Sequence, residues 1–244
     1  MSERIKVNRQ AIRAKWKDLY NVKTARKQNK TKPKNFIEPK PNAKIITLEK
    51  TFPNIKQKTL TECIKSRRSL RSYAKTPMTI EELSYLLWET SRVEYIEDNR
   101  VYKTIPTAGA TNSGETYIYI NNVEDIENGI YLYLQNEHKL ALINQASDIE
   151  REVNQAILRQ LRKAHVVFFF TAVASRVEYK YDFVGPKLIA LEAGHACQNL
   201  SLAAEVIDAG ACAIAAYDQE KIDELLKIDG EDHFTVYCAT VGKK

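Results

Sequence analysis

The chain is short of cysteine, of long apolar runs and of the commonest catalytic motifs. Its four cysteines, Cys63, Cys197, Cys212 and Cys238, include no CxxC pair. That spacing argues against a disulfide frame or a zinc site and suits buried thiols in a reducing compartment. No stretch of about 18 uncharged apolar residues occurs, so no membrane-spanning helix is expected. The opening Met1-Ser-Glu-Arg-Ile-Lys lacks an apolar core and a cleavage site, which reads as cytoplasmic rather than secreted. GxGxxG, HExxH and GxSxG are all missing, which removes support for a Rossmann dinucleotide site, a zincin and a serine hydrolase. Gly109–Gly114 has the spacing of a phosphate loop, but Glu115 stands where its lysine is required. His138, His165, His195 and His233 show no metal-ligand spacing; each reads as structural, and no metal is expected.

Charge is divided unevenly. Residues 1–50 hold 15 Lys and Arg against 4 Asp and Glu, a net of +11, so the remaining residues carry −5 of the total of +6. A basic tail on an acidic body suits nucleic acid or an acidic surface. The tail lacks the interleaved aromatics of nucleic-acid platforms, which favours a solvated arm or one laid across an acidic partner.

Organisation follows from composition and period. Residues 1–58 read as a basic N-terminal extension or wrapping segment. Within it Ile5, Ile12, Trp16 and Leu19 have loose helical spacing, and Pro33, Pro39, Pro41 and Pro53 mark an extended stretch. The body spans 59–244. Thr79 with Glu82 predicts a capped helix whose apolar face is Leu83, Leu86 and Leu87. Strands are expected at 116–120, 129–134 and 139–143, then a helix over 149–164. The apolar run 166–173 reads as a buried central strand. A long helix runs from Pro186 to about Asp208, followed by a strand over 211–217, a short helix over 219–227 and a strand over 234–241. Ser-Arg-Val-Glu-Tyr occurs at 91–95 and again at 175–179; the flanks differ, so it reads as coincidence.

Three features carry chemistry. Arg67, Arg68 and Arg71, interleaved with Ser66 and Ser69, suit a phosphate monoester, although a solvated helix end would look the same. Ile105-Pro-Thr-Ala-Gly-Ala110 would let backbone approach a flat ring, or is simply a turn. Gly210-Ala-Cys-Ala-Ile-Ala-Ala216 is stripped of bulk, as under a planar ligand or another backbone.

Taken in order, these pieces resemble the FMN-dependent nitroreductase superfamily. Arg67-Arg-Ser-Leu-Arg71 is similar to its RRSxR segment, and Pro106-Thr-Ala-Gly109 to its PSAG. Leu191–Ala204 is similar to its EAGHxxQNLxLAA helix, and 210–216 to its GxGxxxIGG strand. The resemblance covers about residues 59–242. Within the superfamily, Arg176 and Lys180-Tyr181 resemble the R…KY segment of SagB-type azoline dehydrogenases.

The resemblance implies an α+β, nitroreductase-like fold with a central, mainly antiparallel sheet flanked by helices, in an intertwined homodimer with FMN at the interface. Arg67, Ser69 and Arg71 would hold the phosphate, with Arg68 nearby and Lys243 and Lys244 as further charge. Pro106, Thr107, Ala108 and Gly109 of the opposite subunit would line the ring. Ile214, Ala215 and Ala216 would cover its other side with backbone N–H groups, and Asn154 is a further candidate contact. Lys180 would act as base with Tyr181 as proton relay, because a lysine in apolar or cationic surroundings gives up its proton more readily. The substrate would be a peptide azoline. A small-molecule nitro or quinone reductase using NAD(P)H is the alternative, with Lys180 and Tyr181 as plain surface residues. A non-catalytic flavin-sequestering or nucleic-acid-binding protein is the other. Thr107 replaces the usual Ser and keeps the hydroxyl. Ala215-Ala216 replaces Gly-Gly and narrows the space beside the ring.

Overall fold

Strand pairing sets the architecture, which a computed structural model describes for residues 2–13 and 15–244. Val166–Val173 forms a strand, β7, with all eight positions buried. An uninterrupted apolar run is stable only where both faces of a sheet are covered, so this strand lies inside. It pairs with β4 (Gly114–Ile120), which sets Phe168 against Ile118, and with β9 (His233–Lys243), which sets Phe168 against Ala239. Beyond β4 lie β5 (Gly129–Leu134), β6 (Lys139–Asn144) and the short edge strand β1 (Ile45–Thr47); beyond β9 lies β8 (Ala209–Ile214). The order is β1-β6-β5-β4-β7-β9-β8, with every pairing antiparallel.

Alternation along β7 divides the core. Val166, Phe168 and Phe170 face one side with Leu83, Leu86 and Leu87 of α4 (Ile80–Ser91) and Ala196, Leu200 and Ala204 of α7 (Gly185–Val206). Val167 and Phe169 face the other, with Val153 of α5 (Ile149–Ala156) and Ile222 of α8 (Gln219–Leu226). The expected capping box opens α4: Thr79 N donates to Glu82 Oε2 at 2.8 Å, and Glu82 N to Thr79 Oγ1 at 3.1 Å. A second box, Thr59 with Glu62, opens α3 (Leu60–Ser66). The 22 residues of α7 span about 33 Å at 1.5 Å per residue.

Two expectations need correction. The helix over 149–164 stops at Ala156, because Leu158 and Arg159 take positive φ and Leu161 N turns back onto Asn154 Oδ1 at 3.2 Å. The strand over 211–217 runs instead over 209–214. Its ladder with β9 begins at Ala209–Lys243, and Asp218 leaves it to cap α8. The repeated pentapeptide adopts two structures. The first copy ends α4 and enters β2 (Val93–Glu97), which pairs with β3 (Arg100–Lys103) across a turn whose Asp98 and Asn99 have positive φ. The second lies wholly in α6 (Ala174–Tyr181).

Residues before Thr59 run over the body. The first helices, α1 (Glu3–Asn8) and α2 (Trp16–Tyr20), bury no residue, whereas Leu48 enters the core. Trp16 stands edge-on to Tyr181 at 5.6 Å, and Arg26 N donates to Tyr179 O at 2.9 Å. Beneath this contact Arg176 meets Glu115 at 2.6 Å, with side chains 3% and 4% exposed. The same guanidinium donates to Asn112 O at 3.2 Å and to Lys34 O at 2.8 Å.

Arg176→Met leaves the Glu115 charge buried and unpaired, which should cost about 3–5 kcal/mol in denaturant unfolding. The double change Arg176→Met/Glu115→Leu should recover most of it. His138 is enclosed by Ser84 Oγ at 2.8 Å, Tyr133 Oη at 2.7 Å and Glu49 O at 2.9 Å. Burial lowers its pKa to about 4, and burial lowers that of His233 as well. The unfolded chain therefore takes up protons first as pH falls. Unfolding midpoints should be flat between about pH 6.5 and about pH 8 and decline below about pH 6.5 towards about 4. His138→Asn should flatten that decline.

Candidate active site

The segment between β3 and β4 folds into a tight loop because Gly109, Ala110 and Asn112 all adopt left-handed φ. Non-glycine residues pay for that conformation, and the loop is held by its own polar groups. Asn112 N donates to Thr107 Oγ1 at 3.0 Å, Thr111 Oγ1 to Ala108 O at 2.9 Å, and Asn112 Nδ2 to Val101 O at 2.7 Å. The Thr107 hydroxyl thus accepts from the loop and keeps its proton free to donate. Pro106 and Gly109 are exposed, and Thr107 and Ala108 are half-buried.

Lys180 and Tyr181, at the end of α6, close on this loop. Lys180 Nζ donates to Gly109 O at 3.4 Å and lies 5.1 Å from the Tyr181 ring centre. A methyl group at Gly109 would collide with both Lys180 Nζ and Tyr181 Oη. The lysine amine, the phenol and the glycine backbone therefore share one small space. From α7, His195 Nδ1 lies 3.1 Å from Pro106 O; a carbonyl only accepts, so Nδ1 carries the proton.

A buried charged layer supports the loop. Glu192 of α7 accepts from Ser113 Oγ and from Gly114 N, each at 2.9 Å. Lys103 Nζ donates to Gly114 O at 3.0 Å. Burial pushes the Lys103 pKa down, while Glu115 and Glu192 pull it back up. Between Ser113, Glu115, Glu192 and Phe170 is a cavity of about 10 Å³, roughly the room for one water. Lys103 escapes the sequence reading, which places Glu192 and His195 in the resembling core helix without a site role and takes His195 as structural. The Glu192–His195 spacing of three puts both on one side of that helix.

The basic cluster lies elsewhere, along β8. Leu70 N donates to Ala211 O at 3.1 Å, and Leu70 packs so closely on Gly210 that any Cβ there would overlap it. Arg68, Ser69 and Arg71 are exposed and Arg67 is half-buried. Arg68 Nη1 donates to the carbonyls of Lys65 and Arg67, and Arg71 Nη1 to Ser69 O at 3.4 Å. Among the described residues none of the three arginines meets a carboxylate. Lys243 and Lys244 are instead neutralised by Glu82 and Glu205, each at 2.7 Å. Ala215 and Ala216 are exposed, whereas Ile214 is buried in the core at the end of the β8–β9 ladder, opposite Cys238. Asn154 is occupied structurally, its Oδ1 holding the turn that ends α5.

The two groups sit at different heights on α7. The loop touches it at His195, and the basic segment at Glu205, through Ser66 Oγ at 2.7 Å. Ten residues of helix separate those contacts by about 15 Å. Among the described residues no three His, Cys, Asp or Glu side chains gather as a metal site, and no helix is long and apolar enough to cross a membrane.

Comparison with known proteins shows the family and the fold. The model of the nitroreductase family matches residues 64–243. A protein of Methanocaldococcus jannaschii with a provisional nitroreductase assignment is 31% identical over 200 residues, covering 81% of this chain and 98% of that protein. A solved structure with the same provisional assignment, from Anabaena variabilis, is 25% identical with a TM-score of 0.68; it covers 87% of this chain, which spans only 45% of that longer one. The Escherichia coli microcin synthetase McbBCD complex with truncated pro-MccB17 bound matches at 17% identity and a TM-score of 0.63, over 100% of this chain and 98% of its own. With a family match over residues 64–243 and that archaeal relative, the chain belongs to the nitroreductase family of oxidoreductases.

Proposed function

We propose that this protein is a cytoplasmic, FMN-dependent dehydrogenase of SagB type, which oxidises azoline rings of a peptide to azoles. In this reading residues 59–244 form the FMN-binding domain and residues 1–58 its basic extension. The observation that carries it is the convergence of Lys180 Nζ and Tyr181 Oη on the Gly109 backbone. A plain reductase of small molecules has no need of a base and a phenol at the loop that would face the ring. The whole-chain likeness to the microcin synthetase complex, N-terminal extension included, adds support.

The residues fit the cofactor. Arg67, Arg68 and Arg71 stand without carboxylates, and Ala215 and Ala216 leave an open, small-residue surface. Bound FMN would supply a two-electron acceptor. Arg67, Arg71 and Ser69 would hold its phosphate; Arg68 would add charge, since its Nη1 is engaged by two carbonyls. The backbone of Ile214–Ala216 would present N–H groups to one side of the ring. Pro106–Gly109 would meet the other side from the opposite protomer of a homodimer, which brings together groups that one copy keeps apart along α7. Converting an azoline to an azole removes one hydride and one proton. The Lys180 amine takes the proton, and Tyr181 Oη beside it passes that proton outward. His195 holds the Pro106 carbonyl and so fixes the loop.

Arg67→Ala and Arg71→Ala should each lower FMN affinity about tenfold, the loss of a charge-assisted hydrogen bond, read as flavin content after gel filtration. Lys180→Ala should keep its flavin yet lose about 10²–10⁴ in the rate of azoline oxidation, followed by mass loss of a synthetic thiazoline peptide. Rapid bleaching by NAD(P)H that ignores Lys180→Ala, with no peptide oxidation by the parent protein, would select the small-molecule reductase instead.

A further inference from the structure

Two of the fifteen basic side chains in residues 1–50 gather with cations of the body at one cleft. Arg26 and Lys32 stand at the mouth of a cleft of about 590 Å³, together with Arg100 and Tyr102 of β3, Tyr179 of α6 and Lys180. The cleft reaches the Gly109–Thr111 loop and so opens onto the groups to which proton removal is assigned. Its floor includes Arg176, already neutralised by Glu115. Arg26, Lys32, Arg100 and Lys180 meet no carboxylate among the described residues, and Asp98 is the one acidic side chain lining the space.

These cations are held at separate points. Lys32 Nζ is anchored to Asn99 O at 3.0 Å, Lys180 Nζ to Gly109 O at 3.4 Å, and the Arg26 backbone to Tyr179 O at 2.9 Å. A single phosphate is bound by donors that converge on one centre; charges distributed over an extension, a hairpin and a helix suit carboxylates spaced along an extended chain. The cleft is also open, with a lining about equally polar and apolar, whereas a pocket for a flat aromatic ligand is mostly apolar. Tyr102, stacked on Tyr95 at 4.4 Å, gives it one rigid wall.

We infer that this cleft binds an acidic stretch of the peptide substrate, holding it beside Lys180 while a neighbouring ring enters the active site. The inference rests on the dehydrogenase reading for its substrate, but the site itself is defined by the charges. Arg26 and Arg100 are exposed rim residues outside the proposed catalytic and flavin-binding groups, so their replacement leaves FMN content unchanged. Exposed charges contribute modestly one by one and act chiefly by steering.

The test uses full-length, flavin-loaded protein and a fluorescein-labelled oligoglutamate peptide, followed by anisotropy at low salt. A neutral Gly-Ser peptide serves as control and NADPH as competitor. The parent protein should bind oligoglutamate and ignore the neutral peptide. Arg26→Ser/Arg100→Ser should weaken binding roughly fivefold and reduce its salt dependence, and excess NADPH should leave the peptide bound. Absence of oligoglutamate binding, equal binding by the double variant, or displacement by NADPH would each overturn the proposal, the last pointing to a dinucleotide. Loss of the dehydrogenase reading looks different. There the flavin-loaded parent protein fails to oxidise a thiazoline peptide, while its charge-dependent binding of oligoglutamate stays in place.

Discussion

Glu115 and Arg176 meet at 2.6 Å with almost no water at either side chain, and the position of the candidate site depends on that contact. Taking two charges out of water costs several kcal/mol per ion, and the attraction between them repays this only with good geometry and further hydrogen bonds. Here the guanidinium also holds the carbonyls of Asn112 and Lys34. One side chain thus ties together β4, the loop after β3, the helix α6 and the N-terminal extension. Lys180 lies four residues beyond Arg176, on the same face of that helix, so whatever fixes Arg176 also directs Lys180. The pair specifies a geometry more than it adds stability, since an apolar replacement of both partners could pack as well.

The long helix α7 acts as a spacer. Near its middle it grips the loop through Glu192 and His195, and near its end it grips the basic segment through Glu205. Both grips use buried or oriented polar groups, and a hydrogen bond made without water competing is less easily exchanged. A rigid rod between two halves of a site keeps them from collapsing onto each other. In the proposed homodimer this separation is what makes each half available to the other copy.

Much of the fold was legible in the residues. The run 166–173 could only be an inner strand, and Thr79 with Glu82 announced α4, because both signals are local and are repeated by the tertiary environment. Ser-Arg-Val-Glu-Tyr shows the limit. The same five residues are helix end and strand at 91–95 and helix at 175–179. Only packing decides: Arg176 is buried against Glu115, whereas Arg92 is partly exposed between Glu89 and Glu94. The shortened α5 failed for a related reason, since the turn held by Asn154 depends on a side-chain acceptor rather than on period. In the site, arginines without acids and a run of small residues stood out as chemical oddities. Lys103 did not, and the contacts of Glu192 and His195 did not either, because sheet topology brings residue 114 to residue 192 and no local pattern records that.

The placement of β9 bears on how the molecule is made. It lies between β7 and β8, both of which precede it in the sequence. While a ribosome is still producing residues 215–243, β7 has an unpaired edge rich in Val and Phe, the kind of edge that recruits foreign strands. The central sheet can close only after residue 243 has left the exit tunnel, so the nascent protein depends on speed of synthesis or on a chaperone to shield that edge.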